Sequence, residues 1–455
     1  MQKYDVIIIG GGPSGIITGV TVKRQYPDRT VLMLTEQQKG LVPCGIPYVF
    51  HDLNSVEKNK MGPKPFVDAG GEVKVDPAED VNIEDKIVTT RSGEKYEYEK
   101  LVFATGSTPT EGKFIKGYEL DNVFYIMKDY NYIDKLFHKM QEMKNIIVIG
   151  GGFIGAEVAE QLAADESKNV TLVECEDYLF SKAFSEELGR LATEKIEDTN
   201  TNVKTSAFVE EVLGKDGKVS GVKLKDGEII KADAVIMSIG YKPNTELAKK
   251  AGLALNDVGA IIVDNYERTY DQDVCAVGDC SQTIGFLTGR RDYIMLASTA
   301  TAEARVLGYN LFGIKIRKCF KGTLGVFSTK INGFTMAAAG VNEKNAAEAN
   351  VEFMSAKFSD VNRHPGTLPD TQPLTLKLYF SVSDGSVLGG EVWGAECAGE
   401  MINTLALAIQ KQVTVYELVS YQIGTHPLLT SAPTKPLLIK AAEAAIAKVQ
   451  AKMKD

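Results

Sequence analysis

Short runs of consecutive apolar residues recur along this chain, and each ends abruptly in glycine before the pattern turns helical. DVIIIGGGPSGI, Asp5 to Ile16, is the first, and NIIVIGGGFIGA, Asn145 to Ala156, repeats it. A strand covered on both faces reads as a near-continuous apolar run, so each copy predicts a buried strand, a glycine turn and a helix. Between the copies, residues 73 to 103 break into short strands with a turn at Arg91-Ser92-Gly93-Glu94, and they close on KLVFATGSTP. Residues 200 to 240 repeat that texture, with a hairpin around Gly214-Lys215-Asp216-Gly217 and a closing strand VIMSIG. Both closing strands leave through turn-forming exits, Ala104-Thr105-Gly106-Ser107 to Pro109 and Gly240 to Asn244. DQDVCAVGDCSQ then reads as a strand returning to the first unit, and Leu296 opens a helix through Phe312. From Gly322 the pattern changes to the strands GTLGVFSTKI, GFTMAAAGV, LTLKLYFSV and VLGGEVWGAE, followed by helices Glu400 to Lys411 and Thr414 to Ser420.

The glycines carry the chemistry. In both copies they stand at GxGxxG spacing: Gly10, Gly12 and Gly15, then Gly150, Gly152 and Gly155. The first makes the turn, the second lets backbone approach a pyrophosphate, and the third lets helix pack on strand, so that the anion sits on the helix N-terminus. Each unit's next strand ends in an acid, Glu36 or Glu174, able to accept hydrogen bonds from a ribose diol. Two dinucleotide sites follow. The predicted fold class is α/β: two Rossmann-like dinucleotide-binding domains, one inserted in the other, and a C-terminal α+β domain. The expected boundaries are 1–112 with 245–321, 113–244, and 322–455. Glu174 is followed by Glu176 and Asp177 with no Arg nearby, so NADH is expected in preference to NADPH.

Composition narrows the partners. A chain of 455 residues is too long for one core. Its formal charge of -9, with no Lys/Arg-rich run, argues against nucleic acid and anionic membrane and leaves small molecules as the default partners. The N-terminus passes straight into a strand, and no apolar run reaches membrane-spanning length. Six sparse cysteines fit a reducing cytoplasm. Cys275 and Cys280 share a CxxxxC spacing, but Gly278-Asp279 between them already suits a sugar-like hydroxyl chain, so neither a redox pair nor a metal site is expected.

One cysteine stands apart. In Leu41 to Tyr48, LVPCGIPY, prolines restrict φ on either side of Cys44 and Gly45 leaves no side chain beside the sulfur, which suits close approach by a flat ligand.

Two nucleotide units, an ATG exit, a GYKPN exit and an AVGDC strand in this order resemble the FAD- and NAD(P)H-dependent pyridine nucleotide-disulfide oxidoreductases, over essentially the whole chain. The resemblance implies that Gly10, Gly12, Gly15, Glu36 and Asp279 bind FAD, and that Gly150, Gly152, Gly155 and Glu174 bind NADH with Glu157 near the nicotinamide. The flanking Pro13, Ser14, Ala104, Thr105, Gly106, Phe153, Ile154, Gly240, Gly278, Leu296, Ala297, Ser298 and Thr299 join them as candidate cofactor-binding residues. Val49 stands five residues after Cys44, so the CxxxxC pair of glutathione-reductase-like members is absent. The single cysteine resembles the subgroup of NADH oxidases, NADH peroxidases, coenzyme A-disulfide reductases and persulfide or polysulfide reductases.

Two positions depart from the pattern: Pro13 where the peroxidases carry histidine, and Ser431 where the disulfide reductases carry a glutamate five residues after the histidine of an HP motif. His426 of THPLL is accordingly either a second catalytic residue, contributed across a homodimer, or a structural or interface histidine. His51, His138 and His364 are expected to face solvent, and Trp393 suits an interface as well as a core. The implied reaction moves electrons from NADH by way of FAD to an oxidised Cys44, whose pKa a following helix N-terminus and the flavin would depress. The resolving oxidant must be external. A coenzyme A disulfide, persulfide or polysulfide ranks first, with coenzyme A as a further ligand, and oxygen ranks next. A flavin-based redox sensor or electron carrier is the contrasting class.

Overall fold

The computed structural model describes residues 1–317 and 319–452. The first apolar run forms the strand Gln2–Ile9, with Val6, Ile7 and Ile8 fully buried. It lies at the middle of a parallel array between Val31–Thr35 and Lys95–Phe103, in register Ile8 to Met33 and Ile8 to Val102. Glu72–Val75 extends one side, and Val274–Ala276 pairs parallel with Lys95–Phe103 on the other. The returning segment thus completes the first domain's sheet.

The second copy builds an independent five-stranded parallel sheet, in which Asn145–Ile149 lies between Asn169–Val173 and Ala234–Met237. The two exits pair with each other: Ser107–Pro109 runs antiparallel to Tyr241–Pro243, with Tyr241 opposite Pro109. The chain therefore enters and leaves the second domain side by side.

The third domain is a five-stranded antiparallel sheet in the order Phe327–Ile331, Phe334–Gly340, Val387–Gly394, Pro373–Ser381, Phe353–Val361. Helices Ala398–Gln410 and Leu437–Lys452 pack on it. Three elements were not expected: the strand Phe353–Val361 and the helices Glu343–Ala349 and Leu437–Lys452. The strand is at the sheet edge and fully buries only Ala356, so it lacks an apolar run. Trp393 is 6% exposed and belongs to a core shared by the second and third domains, with Ile331, Met336 and Leu162. Within one chain it is a core residue.

That same core takes in Ile46, Val49 and Phe50. The loop that carries Cys44 is thus anchored from below at the junction of all three domains. Among the described residues, no helix is long and apolar enough to cross a membrane.

Candidate active site

Both glycine motifs adopt one geometry. Gly10 and Gly150 sit at φ +119 and +106, where an added Cβ would stand 2.1 Å from the Ala104 carbonyl oxygen or 2.3 Å from that of Ser238. Cβ atoms on Gly15 and Gly155 would lie 2.1 and 1.8 Å from the carbonyl oxygens of Gly10 and Gly150. These four positions are closed by the protein itself. Gly12 and Gly152 are different: nothing lies within 4 Å of an added Cβ, and φ is an ordinary -78 or -76. Each is the N-cap of its helix, Pro13–Gln25 or Phe153–Ala163, and no side chain caps either. Leu296, at the head of Ala297–Asn310, is likewise uncapped by any side chain. Three helix N-termini therefore keep backbone donors available to anionic groups.

All three open onto one cavity of about 1480 Å³, beyond the roughly 300–1,000 Å³ of a single small-molecule site. Its walls include Gly10, Gly12, Pro13, Ser14, Glu36, Ala104, Thr105, Gly106, Gly150, Gly152, Phe153, Ile154, Glu157, Glu174, Gly240, Asp279, Leu296, Ala297 and Ser298. Cys44 lies on the same wall. Gly15, Gly155 and Gly278 serve from behind it. The Gly278 N–H donates 2.8 Å to the buried carboxylate of Glu303, which sequence reasoning missed. Thr299 also stands behind the wall, in the first turn of its helix, with its hydroxyl 3.0 Å from that of Thr323. The residues fit two dinucleotides, with the open Gly12 and Gly152 cradles able to take pyrophosphates and Glu36 and Glu174 standing at the ends of the following strands. Glu174 is already positioned, its two carboxylate oxygens accepting from Gly151 N at 2.5 Å and Glu176 N at 2.8 Å.

Asp279 is not alone. Lys128 Nζ donates 2.7 Å to Asp279 Oδ2 and 2.7 Å to Ser107 Oγ, and it stands 4.9 Å from the Tyr241 ring centroid. This cluster joins the first domain to the crossing segments. No motif surrounds Lys128 in sequence; only the pairing of the two exits delivers it.

Cys44 is in a single 3₁₀ turn, Pro43–Gly45, followed by another at Pro47–Phe50. No α-helix begins behind the sulfur. The expected helix N-terminus behind the sulfur is therefore corrected; the protein's own groups push the thiol up, burial first and the Glu157 carboxylate next, and Lys128 opposes them. Glu157 is 8% exposed, and burial raises its carboxyl to about 7 against a hydrogen bond from Thr329. Val49 is fully buried in the shared core, and the described residues hold no disulfide; all six cysteines are free. Cys275 and Cys280 are buried.

His426 does not line the cavity of its own chain. It is exposed, its Nδ1 accepts from Leu428 N at 3.2 Å, and its backbone N–H donates to Thr430 Oγ1 at 3.1 Å. His51 and His138 are exposed, whereas His364 is half-buried with Nδ1 2.9 Å from the Thr430 carbonyl oxygen, which corrects its expected solvent placement. Among the described residues no cluster of His, Cys, Asp and Glu is placed to hold a metal.

Comparison with known proteins adds an independent line. A family model described as pyridine nucleotide-disulphide oxidoreductase matches residues 4–304, and one described as the dimerisation domain of such enzymes matches residues 326–436. An NADH oxidase of Enterococcus faecalis is 28% identical over 424 residues, 91% of this chain and 93% of that protein. An NAD(P)H coenzyme A polysulfide/persulfide reductase of Pyrococcus horikoshii is 31% identical over 402 residues, 87% and 88% of the two chains. The solved structure of an NAD-dependent persulfide reductase from A. fulgidus matches with a TM-score of 0.90 at 28% identity, covering 98% of this chain and 84% of that one.

Proposed function

The chain belongs to the pyridine nucleotide-disulphide oxidoreductase family, which makes it an NAD(P)H-dependent flavoprotein oxidoreductase, and we propose that its Cys44 hands electrons from NADH to a small sulfur oxidant. The observation that carries this is the placement of the exposed Cys44 thiol near Glu157 in the cavity shared by both glycine cradles, with buried Val49 where a resolving cysteine would stand; Cys175, also exposed on these walls, follows Glu174 at the second cradle. Bound FAD would supply two-electron transfer between nicotinamide and sulfur.

The protein's own part is at sulfur. The Cys44 thiolate attacks an S–S bond of a coenzyme A disulfide, persulfide or polysulfide, forms a mixed disulfide and expels a thiolate. Two electrons and a proton then cleave the mixed disulfide, restoring the Cys44 thiolate and releasing a thiol. Overall, NADH, one proton and RSSR give NAD⁺ and two RSH. Lys128 favours the thiolate and the ionised form of Glu157 disfavours it, so a protonated Glu157 assists the attack.

Exposed Tyr421, Ile423, Leu428 and Leu429 flank His426 in sequence, and exposed Tyr416 lies in the short helix before them, all within the segment matched by the dimerisation model. They support a homodimer in which a second copy brings its own His426 towards Cys44. The matching dimerisation domain and the exposure of His426 favour this role, although Ser431 offers it no carboxylate.

Oxygen is the second oxidant, favoured by the likeness to an NADH oxidase. Steady-state NADH oxidation by wild type and Cys44→Ser separates the two. With coenzyme A disulfide or polysulfide the variant should lose at least roughly 100-fold in turnover while oxygen consumption persists. Equal rates with every oxidant would remove Cys44 from the reaction.

A further inference from the structure

Phe114 and Phe208 are 62% and 44% exposed. Their ring centroids lie 6.4 Å apart with the planes inclined 35°, and both rings line the cavity that holds Gly152, Glu174 and Cys175. Single exposed apolar side chains are ordinary on any surface. Two aromatic rings side by side on a ligand wall, on fixed backbone, are not.

The backbone beneath each ring is held. Phe208 follows a segment tied to the acid at the end of the second domain's strand: Ala207 N donates 2.9 Å to the Glu174 carbonyl and Ser206 N donates 2.8 Å to that of Glu176. Ser206 Oγ also donates 2.6 Å to Asp177, and Lys225 N donates 2.8 Å to the carbonyl of Phe208 itself. Phe114 is held by its neighbours, through buried Ile115 and through Lys116, whose carbonyl accepts from Val212 N at 2.8 Å. The rings are thus presented on a pre-arranged surface, which lowers the ordering cost of binding.

The position selects the ligand. A pyrophosphate over Gly152 and a ribose diol at Glu174 leave the purine of that sugar against the wall beside Glu174, where the segment leading to Phe208 is hydrogen-bonded. We propose that Phe114 and Phe208 form an aromatic platform that stacks on the purine of the nicotinamide adenine dinucleotide, an inference that rests on the dinucleotide reading of the second glycine motif.

Isothermal titration of the full-length flavin-loaded protein tests it, with NAD⁺, ADP-ribose and nicotinamide mononucleotide as probes. Phe208→Ala and Phe114→Ala should each weaken NAD⁺ and ADP-ribose roughly 5- to 100-fold, the usual worth of a base-aromatic stack. The mononucleotide, which has no purine, should bind as to wild type. Phe208→Trp should restore affinity and Phe208→Leu should not, and circular dichroism checks that each variant is folded. Unchanged NAD⁺ affinity in the alanine variants, or full affinity in the leucine variant, would overturn the platform while leaving the dinucleotide site intact. Failure of NAD⁺ to bind wild type would overturn the site and the platform together.

Discussion

Thr329 Oγ1, on a strand of the third domain, donates a 2.8 Å hydrogen bond to Glu157 Oε1, on a helix of the second. The two residues are 172 apart in sequence, and both are buried. Through this bond the third domain partly offsets the burial that pushes up a carboxyl sharing a cavity with Cys44. Thr329→Val removes the bond's stabilisation of the carboxylate, so the Glu157 pKa should climb above about 7, by about one unit for a bond of ordinary charged strength. The pH profile of NADH turnover should shift upward in Thr329→Val and stay in place in Thr329→Ser.

Glu157 also carries a stability signature. Its folded pKa lies above its unfolded value of 4.5, so the native state holds the proton more tightly between about 4.5 and 7, and stability is lost as pH rises through that window. The loss amounts to about 3 kcal/mol above pH 7. Glu157→Gln should match wild type near pH 4.5 and exceed it at pH 8, which denaturant unfolding at the two pH values measures.

The Cys44 thiol is pushed up chiefly by desolvation and next by Glu157, and Lys128 opposes them. The pH midpoint of iodoacetamide alkylation should therefore move down in Glu157→Gln and up in Lys128→Met. Movement of both variants in the same direction would contradict this electrostatic arrangement.

The two kinds of glycine should separate cleanly on substitution. Gly152→Ala meets nothing in the protein and keeps an allowed φ, so the variant should fold and retain flavin while NAD⁺ affinity falls by at least tenfold. Gly155→Ala drives a methyl to 1.8 Å from the Gly150 carbonyl oxygen, and it should lower the melting temperature or abolish soluble expression.

Glu391, 1% exposed, clasps the second domain to the third: it accepts from Ser185 N at 2.5 Å, Ser185 Oγ at 2.6 Å and Tyr379 Oη at 3.2 Å. Glu391→Ala strands the buried Ser185 N–H and hydroxyl, while Tyr379 Oη keeps its 2.7 Å bond to Glu343, and it should cost about 2–4 kcal/mol, seen as a lowered thermal midpoint, with Glu391→Gln losing less.

By itself the sequence determined what depends on local pattern. Apolar runs into glycine are strand-turn-helix units because Gly10 and Gly150 need positive φ and Gly15 and Gly155 admit no side chain, requirements that adjacent backbone imposes. Their duplication, the two turn-forming exits and the missing partner at Val49 are equally local. Tertiary structure alone decided the environment of Cys44. A helix N-terminus behind the sulfur was a reasonable expectation from LVPCGIPY, but two prolines break the segment into 3₁₀ turns, and the charges that act on the thiol come from Glu157 and Lys128, more than 80 residues away. Thr329, Lys128, Phe114 and Phe208 have no motif around them. Their roles arise from contacts between distant segments, which no spacing along one segment encodes.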